Sequence, residues 1–219
     1  MKILVISAHP DDETIGMGGT LFKLAAKSDS IYWLIMTRAF RPKWNSSYIS
    51  KKDKEIKSVA KKFGFKKTYQ VKLKAASLST YPQLILGDKI ADTVRQVEPE
   101  VIYTPPLSDC HLDHELTTNA VLATIRPWNN FGVKKIYSYE LPVTTPFSDI
   151  KKPQLFNYFE DVSKYITEKN DAMSIYKTEL KEHPHPRSLE GLKILAAERG
   201  LRAGYKYAEA FSLLYGRND

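Results

Sequence analysis

Lys2-Ile3-Leu4-Val5-Ile6-Ser7 runs without interruption into Ala8-His9-Pro10-Asp11-Asp12-Glu13. The first six residues are an apolar run with β-branched side chains, the pattern of a buried strand. The next six place three carboxylates and one imidazole within five positions. Such a cluster repels and desolvates itself unless something cationic sits among its members. Pro10 fixes one φ angle and stiffens the turn. His9 and Asp12 are three residues apart, so a tight turn aims both at one point while Asp11 projects separately. In an open α/β sheet, the carboxyl end of a strand is where ligands bind.

Outward from this segment, strands and helices alternate. The apolar spacing predicts helices over residues 18–27, 51–63, 83–97 and 115–125, with Gly64 as a stop. Strands are predicted over residues 31–37, 68–71, 101–104 and 135–139. That alternation predicts an α/β fold: a Rossmann-like, mostly parallel, doubly wound sheet flanked by helices. After Pro153 the pattern changes, to a strand over 156–159, helices over 164–181 and 189–199, and a closing strand over 207–214. The expected organisation is one domain over residues 1–219. Its parallel core spans 1–150, and a C-terminal extension over 151–219 packs on the same core.

The 219 residues carry 33 Lys plus Arg against 25 Asp plus Glu, a formal net charge of +8, and 42% are hydrophobic. This balance suits a folded domain and disfavours disorder. The lysines are scattered in short pairs such as Lys51-Lys52 and Lys134-Lys135, which read as solvated helix ends, so no nucleic-acid partner is expected. Cys110 is the single cysteine, so neither an internal disulfide nor a multi-cysteine metal cluster is available. No apolar run approaches a membrane span, and the expected location is the cytoplasm.

A second motif, Asp109-Cys110-His111-Leu112-Asp113-His114, follows the predicted strand at 101–104 after the Pro105-Pro106 break. In the common doubly wound order, strands one and four are neighbours at the crossover point. The two motifs would then meet over one crevice and complete a metal shell that neither offers alone. A His, Asp and His set with one open position suits catalytic Zn²⁺. Without a cysteine ligand, the same set also accepts Fe²⁺, Co²⁺ or Mn²⁺.

His-Pro-Asp-Asp-Glu after the first strand, with His-x-Asp-His after the fourth, resembles the LmbE-like family of zinc-dependent deacetylases, which includes the N-acetylglucosaminyl-phosphatidylinositol de-N-acetylases. The resemblance continues to the C-terminus. Asp161, Ile166-Thr167-Glu168-Lys169 and the stretch from Gly200 through Tyr207-Ala208-Glu209-Ala210-Phe211 are similar to the family's later segments. The resemblance implies His9, Asp12 and His114 as metal ligands and Asp11 as general base. His111 would stabilise the oxyanion as an imidazolium, either Asp11 or His111 would protonate the leaving amine, and Asp113 would orient a histidine from behind. The implied activity is removal of an N-acetyl group from an amino sugar or N-acetylglucosaminyl conjugate by metal-activated water. Some relatives form hexamers, so a homo-oligomer is an accompanying expectation.

Other features are weighed against this reading. Gly16-Met17-Gly18-Gly19 resembles half a dinucleotide fingerprint, but the acidic run intrudes before it. The second strand also ends Met36-Thr37-Arg38 without an acidic ribose partner, so close helix–strand packing is the better account. Glu13 is read as a favourable charge at a helix N-terminus, with support of the metal ligands from behind as the alternative. His183-Pro184-His185-Pro186 is read as loop, and Cys110 beside His111 as an unsuitable nucleophile pair. The family's Thr-x-Gly turn is replaced here by Thr37-Arg38-Ala39-Phe40-Arg41-Pro42-Lys43-Trp44. Arg38 or Arg41 would clamp an anionic group and Trp44 would stack on a sugar ring; the alternative is a solvated basic loop with Trp44 packed inward. Arg187 is a further candidate for an anion. Asp109 stands where some relatives carry an aromatic residue. Two other functions compete: an amidase for a larger N-acyl group or thiol conjugate, and a non-catalytic sugar- or nucleic-acid-binding module.

Overall fold

The computed structural model describes residues 1–147 and 153–218. The division expected at residue 150 lies outside the described residues. The elements are β1 (Lys2–Ser7), α1 (Asp12–Ala26), β2 (Ser30–Arg38), α2 (Ser46–Phe63), β3 (Lys67–Lys74), α3 (Gln83–Val97), β4 (Val101–Thr104) and α4 (Leu112–Thr124). They continue with β5 (Lys135–Tyr139), β6 (Tyr158–Asp161), α5 (Ile166–Met173), α6 (Leu189–Ala203) and β7 (Ala208–Gly216). The strands form one sheet in the order β3-β2-β1-β4-β5-β7-β6. β1 pairs in parallel with both β2 and β4, and β3 and β5 add in parallel outside them. β7 runs antiparallel to β5 and to β6. The C-terminal segment therefore extends the same sheet.

β1 shows why a continuous apolar run was needed. A strand covered on both faces has no polar alternation. Ile3 and Val5 join one core with Trp33, Phe63, Tyr139 and Phe211. Leu4 and Ile6 join the opposite core with Leu34, Ile90, Val94 and Ile136. Fully burying each such side chain stabilises the fold by roughly 1.5–3 kcal/mol, so β1 anchors both layers. Its carboxyl end is tied to β2, where the Thr37 amide and hydroxyl donate to the Ala8 carbonyl at 3.1 and 2.6 Å.

Helix ends depart from the expected bounds where tertiary partners replace local signals. α2 starts at Ser46, five residues before expectation, because the Asn45 side chain accepts the Tyr48 amide at 2.8 Å. It ends as expected at Gly64, which is left-handed with φ 70°. α1 starts at Asp12 rather than at residue 18, and its backbone breaks at Met17 (φ −147°, ψ 24°). The expected helix is the segment after that break. α4 starts at Leu112, so the second motif forms its first turn. α5 stops at Met173, well short of residue 181, and the chain turns so that Tyr176 enters the core.

Gly16 sits in the first part of α1, where an added Cβ would lie 2.4 Å from Tyr139 Cδ2 and 3.0 Å from the Glu140 carbonyl oxygen. Gly16→Ala is expected to lower stability by about 1–3 kcal/mol through overpacking, outweighing a helix-propensity gain of about 1 kcal/mol. Urea unfolding reads this, and an unchanged or raised midpoint would show that the Tyr139 ring gives way.

Candidate active site

Adjacent parallel strands set the two motifs side by side. His9 follows the carboxyl end of β1, and His114 lies in the first turn of α4, after β4. His9 Nδ1 and His114 Nε2 are 3.2 Å apart. His114 Nε2 is 3.5 Å from Asp12 Oδ1, and His9 Nδ1 is 3.9 Å from Asp12 Oδ2. Asp12 Oδ2 also accepts the His9 backbone amide at 2.8 Å, which closes the turn. The His111 imidazole joins the group, with ring centroids 4.5 Å from His9 and 4.7 Å from His114. Ligand atoms of the three histidines lie within 4.8 Å of one another.

A carboxylate stands behind each of the two facing imidazoles. Asp113 Oδ2 is 3.0 Å from His9 Nε2. Asp113 is itself held by the Ala76 and Leu78 amides at 2.6 and 3.0 Å. Asp109 Oδ1 is 3.3 Å from His114 Nδ1, although that nitrogen has no aligned hydrogen bond. Asp109 also accepts the His111 amide at 2.7 Å and the Thr144 hydroxyl at 2.8 Å. It is buried and points inward. This backing arrangement fixes ring orientation and basicity in metal-binding histidines.

Proton affinities follow from the crowding. Burial opposes ionisation of Asp12, but His114 and His9 outweigh it and hold the carboxyl down at about 2. Burial also opposes a charged His114, yet Asp12 and Asp109 hold it up at about 10. Burial and the neighbouring imidazoles push His111 down to about 4. It is therefore a neutral ring near pH 7, not the imidazolium anticipated from the sequence. Its Nδ1 accepts the Asp113 amide at 3.3 Å, which leaves the proton on Nε2. Burial raises Asp11 well above the carboxylate range, with Lys52 opposing. Burial likewise lifts Glu13 to about 7.

Asp11 carries unusual backbone, with φ 144°. Non-glycine residues adopt such angles only where surrounding contacts impose them. Glu13 is one such contact. It accepts the Asp11 amide at 3.2 Å, the Tyr176 hydroxyl at 2.7 Å and the Thr14 hydroxyl at 2.8 Å. Glu13 thus braces the turn from inside the core. Lys52 braces it from the other side, donating to the Pro10 carbonyl at 3.1 Å.

A cavity of about 350 Å³ opens over this cluster, lined by His9, Asp11, Asp12, His111 and His114 on its floor. Trp44, Tyr48, Lys52, Glu179 and Arg187 form one wall, and Ile15, Leu141 and Val143 contribute apolar surface. Trp44 and Tyr48 stack at 6.3 Å. Arg38 and Arg41 do not line it: Arg38 pairs with Asp53 at 2.5 Å, and Arg41 is exposed. Glu179 gathers the cations of the wall, pairing with Lys52 at 2.8 Å and Arg187 at 2.7 Å. Arg187 also lies 3.6 Å from Asp11. Lys52, Tyr48 and Glu179 were not singled out from the sequence for this role, whereas Asp109 was marked there only as a departure from some relatives. Lys52 did carry a signal, because it shares the apolar stripe of Ile56, Val59 and Phe63 on α2, where a solvated lysine has no place.

The family model described as PIG-L, GlcNAc-PI de-N-acetylase, matches residues 4–125. That match takes in more than half of the chain and both motifs, and the chain belongs to this family of N-deacetylases. A diacetylchitobiose deacetylase of Thermococcus kodakarensis is 23% identical, over 98% of this chain and 84% of that protein. An uncharacterized deacetylase of Escherichia coli, YaiS, is 29% identical over 80% of this chain and 90% of its own length. The conserved protein TT1542 of Thermus thermophilus has the same fold, with TM-score 0.81, 22% identity, and coverage of 100% of this chain and 97% of that one. No helix among the described residues is long and apolar enough to cross a membrane.

The raised affinity of His114 makes metal-free protein a proton-holding site. The folded state binds this proton more tightly than the unfolded state, so its stabilisation is complete below about pH 6.5 and is lost as pH rises toward 10. Urea unfolding in chelator should therefore show a falling midpoint from pH 7 to 9.5. His114→Gln should remove that contribution and flatten the profile. An equally steep fall in the variant would assign the slope to other groups.

Proposed function

We propose that this chain is a metal-dependent hydrolase that removes the N-acetyl group of a neutral N-acetylated amino sugar or short oligosaccharide. The observation that carries the reading is the convergence of two imidazoles and one carboxylate: His9 Nδ1 and His114 Nε2 are 3.2 Å apart, Asp12 Oδ1 is 3.5 Å from His114 Nε2, and Asp12 Oδ2 is 3.9 Å from His9 Nδ1. Ligand atoms about 2.0–2.1 Å from a tetrahedral zinc ion stand roughly 3.3–3.4 Å from one another. Two imidazoles and one carboxylate also match the donor chemistry of Zn²⁺, and Fe²⁺, Co²⁺ or Mn²⁺ fit the same donors. His9, Asp12 and His114 are the ligands in this reading; His111 is left out because its Nδ1 is occupied by the Asp113 amide. A divalent ion there supplies a Lewis acid and lowers the pKa of water.

The chain's own residues do the rest. Water attacks the acetamide carbonyl carbon, and Asp11 takes the proton it releases. A raised proton affinity suits that task, because a base too weak to hold a proton transfers it poorly. His111 donates from Nε2 to the developing oxyanion as a neutral ring, an effect often worth about 3 kcal/mol. Asp11 then returns its proton to the departing amine. Asp113 and Asp109 orient His9 and His114 from behind. Trp44 and Tyr48 offer a stacking wall for a sugar ring, and Arg187 and Glu179 offer polar contacts for its hydroxyls. A neutral sugar is favoured over an anionic one, since Lys52 and Arg187 are already paired with Glu179. The diacetylchitobiose deacetylase relative directs the first substrate choice to N-acetylglucosamine and its β-linked dimer.

The direct test is release of acetate and primary amine from these sugars, with and without chelator. No release from any N-acetyl sugar by metal-loaded protein would reject the reading. Asp11→Asn is expected to keep its metal and to lose about 10²–10⁴-fold in kcat; near-normal turnover would remove Asp11 from the mechanism. His114→Ala is expected to lose the metal, which elemental analysis reads.

A further inference from the structure

The glycine-rich stretch after the first motif and the closing Glu209 have no part in the chemistry above, yet they meet in the core. α1 breaks at Met17, whose angles are not helical, and a helix interrupted in this way has terminal amides and carbonyls that need partners from elsewhere. A buried ion pair supplies them. Glu209 accepts the Gly19 amide at 2.9 Å and the Thr20 amide at 2.7 Å. Lys169 Nζ donates to the Ile15 carbonyl at 2.8 Å and to Glu209 at 2.7 Å. Both side chains are only 3% exposed.

The charges are sorted by helix end. The carboxylate caps the amides that begin the second segment, and the ammonium caps a carbonyl that ends the first, each meeting the backbone charge it favours. Glycine makes the approach possible. A Cβ on Gly18 would stand 3.0 Å from Lys169 Cγ, and one on Gly19 would stand 2.7 Å from Val162 Cβ. The short first segment held by this bridge contains Asp12, and its Ile15 lines the cavity.

We infer that Lys169 and Glu209 are positioning residues: they splint the broken helix α1 and so set Asp12 at its distance from His9 and His114. The inference rests on the metal-ligand reading above. A buried ion pair gains little over apolar packing on its own. Here it satisfies three backbone groups that would otherwise be desolvated without partners, and it does so one turn from a ligand.

The test compares metal-free wild type, Glu209→Gln and Glu160→Gln by Zn²⁺ titration against a chromophoric chelator, with the urea midpoint of each. Glu160 is the control, because it pairs with Lys23 of the same helix at 2.5 Å but does not touch the break. Glu209→Gln is expected to weaken Zn²⁺ binding about tenfold or more, as loss of an outer support does, whereas Glu160→Gln changes only the midpoint. Folded Glu209→Gln with wild-type affinity overturns the inference, and so does an equal loss of affinity in Glu160→Gln. If Glu209→Gln fails to fold, Glu209→Asp, which keeps the charge and shortens its reach, is judged by the same two comparisons. Wild type that takes up no Zn²⁺ rejects the ligand reading itself; normal uptake by wild type and Glu209 variants alike rejects the splint alone.

Discussion

Crowding of like and unlike charge at the carboxyl ends of β1 and β4 is the constraint on which the structure turns. Asp11, Asp12, Asp109 and Asp113 are all buried there, and they surround three imidazoles. Such a group is tolerable only when protons or a metal cation neutralise it. Without metal, His114 retains a proton that Asp12 and Asp109 stabilise. A divalent cation held there would do the same with more charge at one point. Neutralisation by proton and by metal are thus alternative answers to one electrostatic problem.

Holding that cluster together requires the rest of the chain. Asp11 sits at a backbone angle that costs energy, and it is held by Glu13 from the core and by the Lys52 bond to Pro10 from α2. Glu13 in turn depends on Tyr176, which reaches the core because α5 ends early. Lys169 and Glu209 hold the break in α1 from the other side. The C-terminal third, expected from the sequence to pack on the same core, supplies supports for the N-terminal motif. Its strands β6 and β7 join the same sheet, and its loops contribute Glu179 and Arg187 to the cavity wall.

Several parts of this were legible in the residues. The apolar run of β1 announced a strand covered on both faces, and the Pro105-Pro106 break marked the end of β4. The spacing of His9 and Asp12 announced a turn with convergent side chains. Less was legible where a side chain's partner is distant. Glu13 reads locally as a helix-dipole charge, yet its contacts are Tyr176, Thr14 and the Asp11 amide. Arg38 and Arg41 read as anion clamps, yet one is taken by Asp53 and the other faces solvent. Helix starts were misplaced at α1 and α2 for a related reason: acidic residues in a first turn and an asparagine cap are weak local signals beside strong apolar periodicity.

Residue order was enough for the alternation of strands and helices, the two acidic–histidine motifs and their attachment to strand ends, because periodicity and short-range turn chemistry are local properties. Only long-range packing set which nitrogens of His9 and His114 face each other and which carboxylate stands behind each ring. It also decided that the cations of the cavity wall are already paired, and that a buried bridge from α5 and β7 completes a broken helix. Those outcomes depend on desolvation and on angstrom-scale distances between residues far apart in the chain, and neither quantity exists until the two layers close over the sheet.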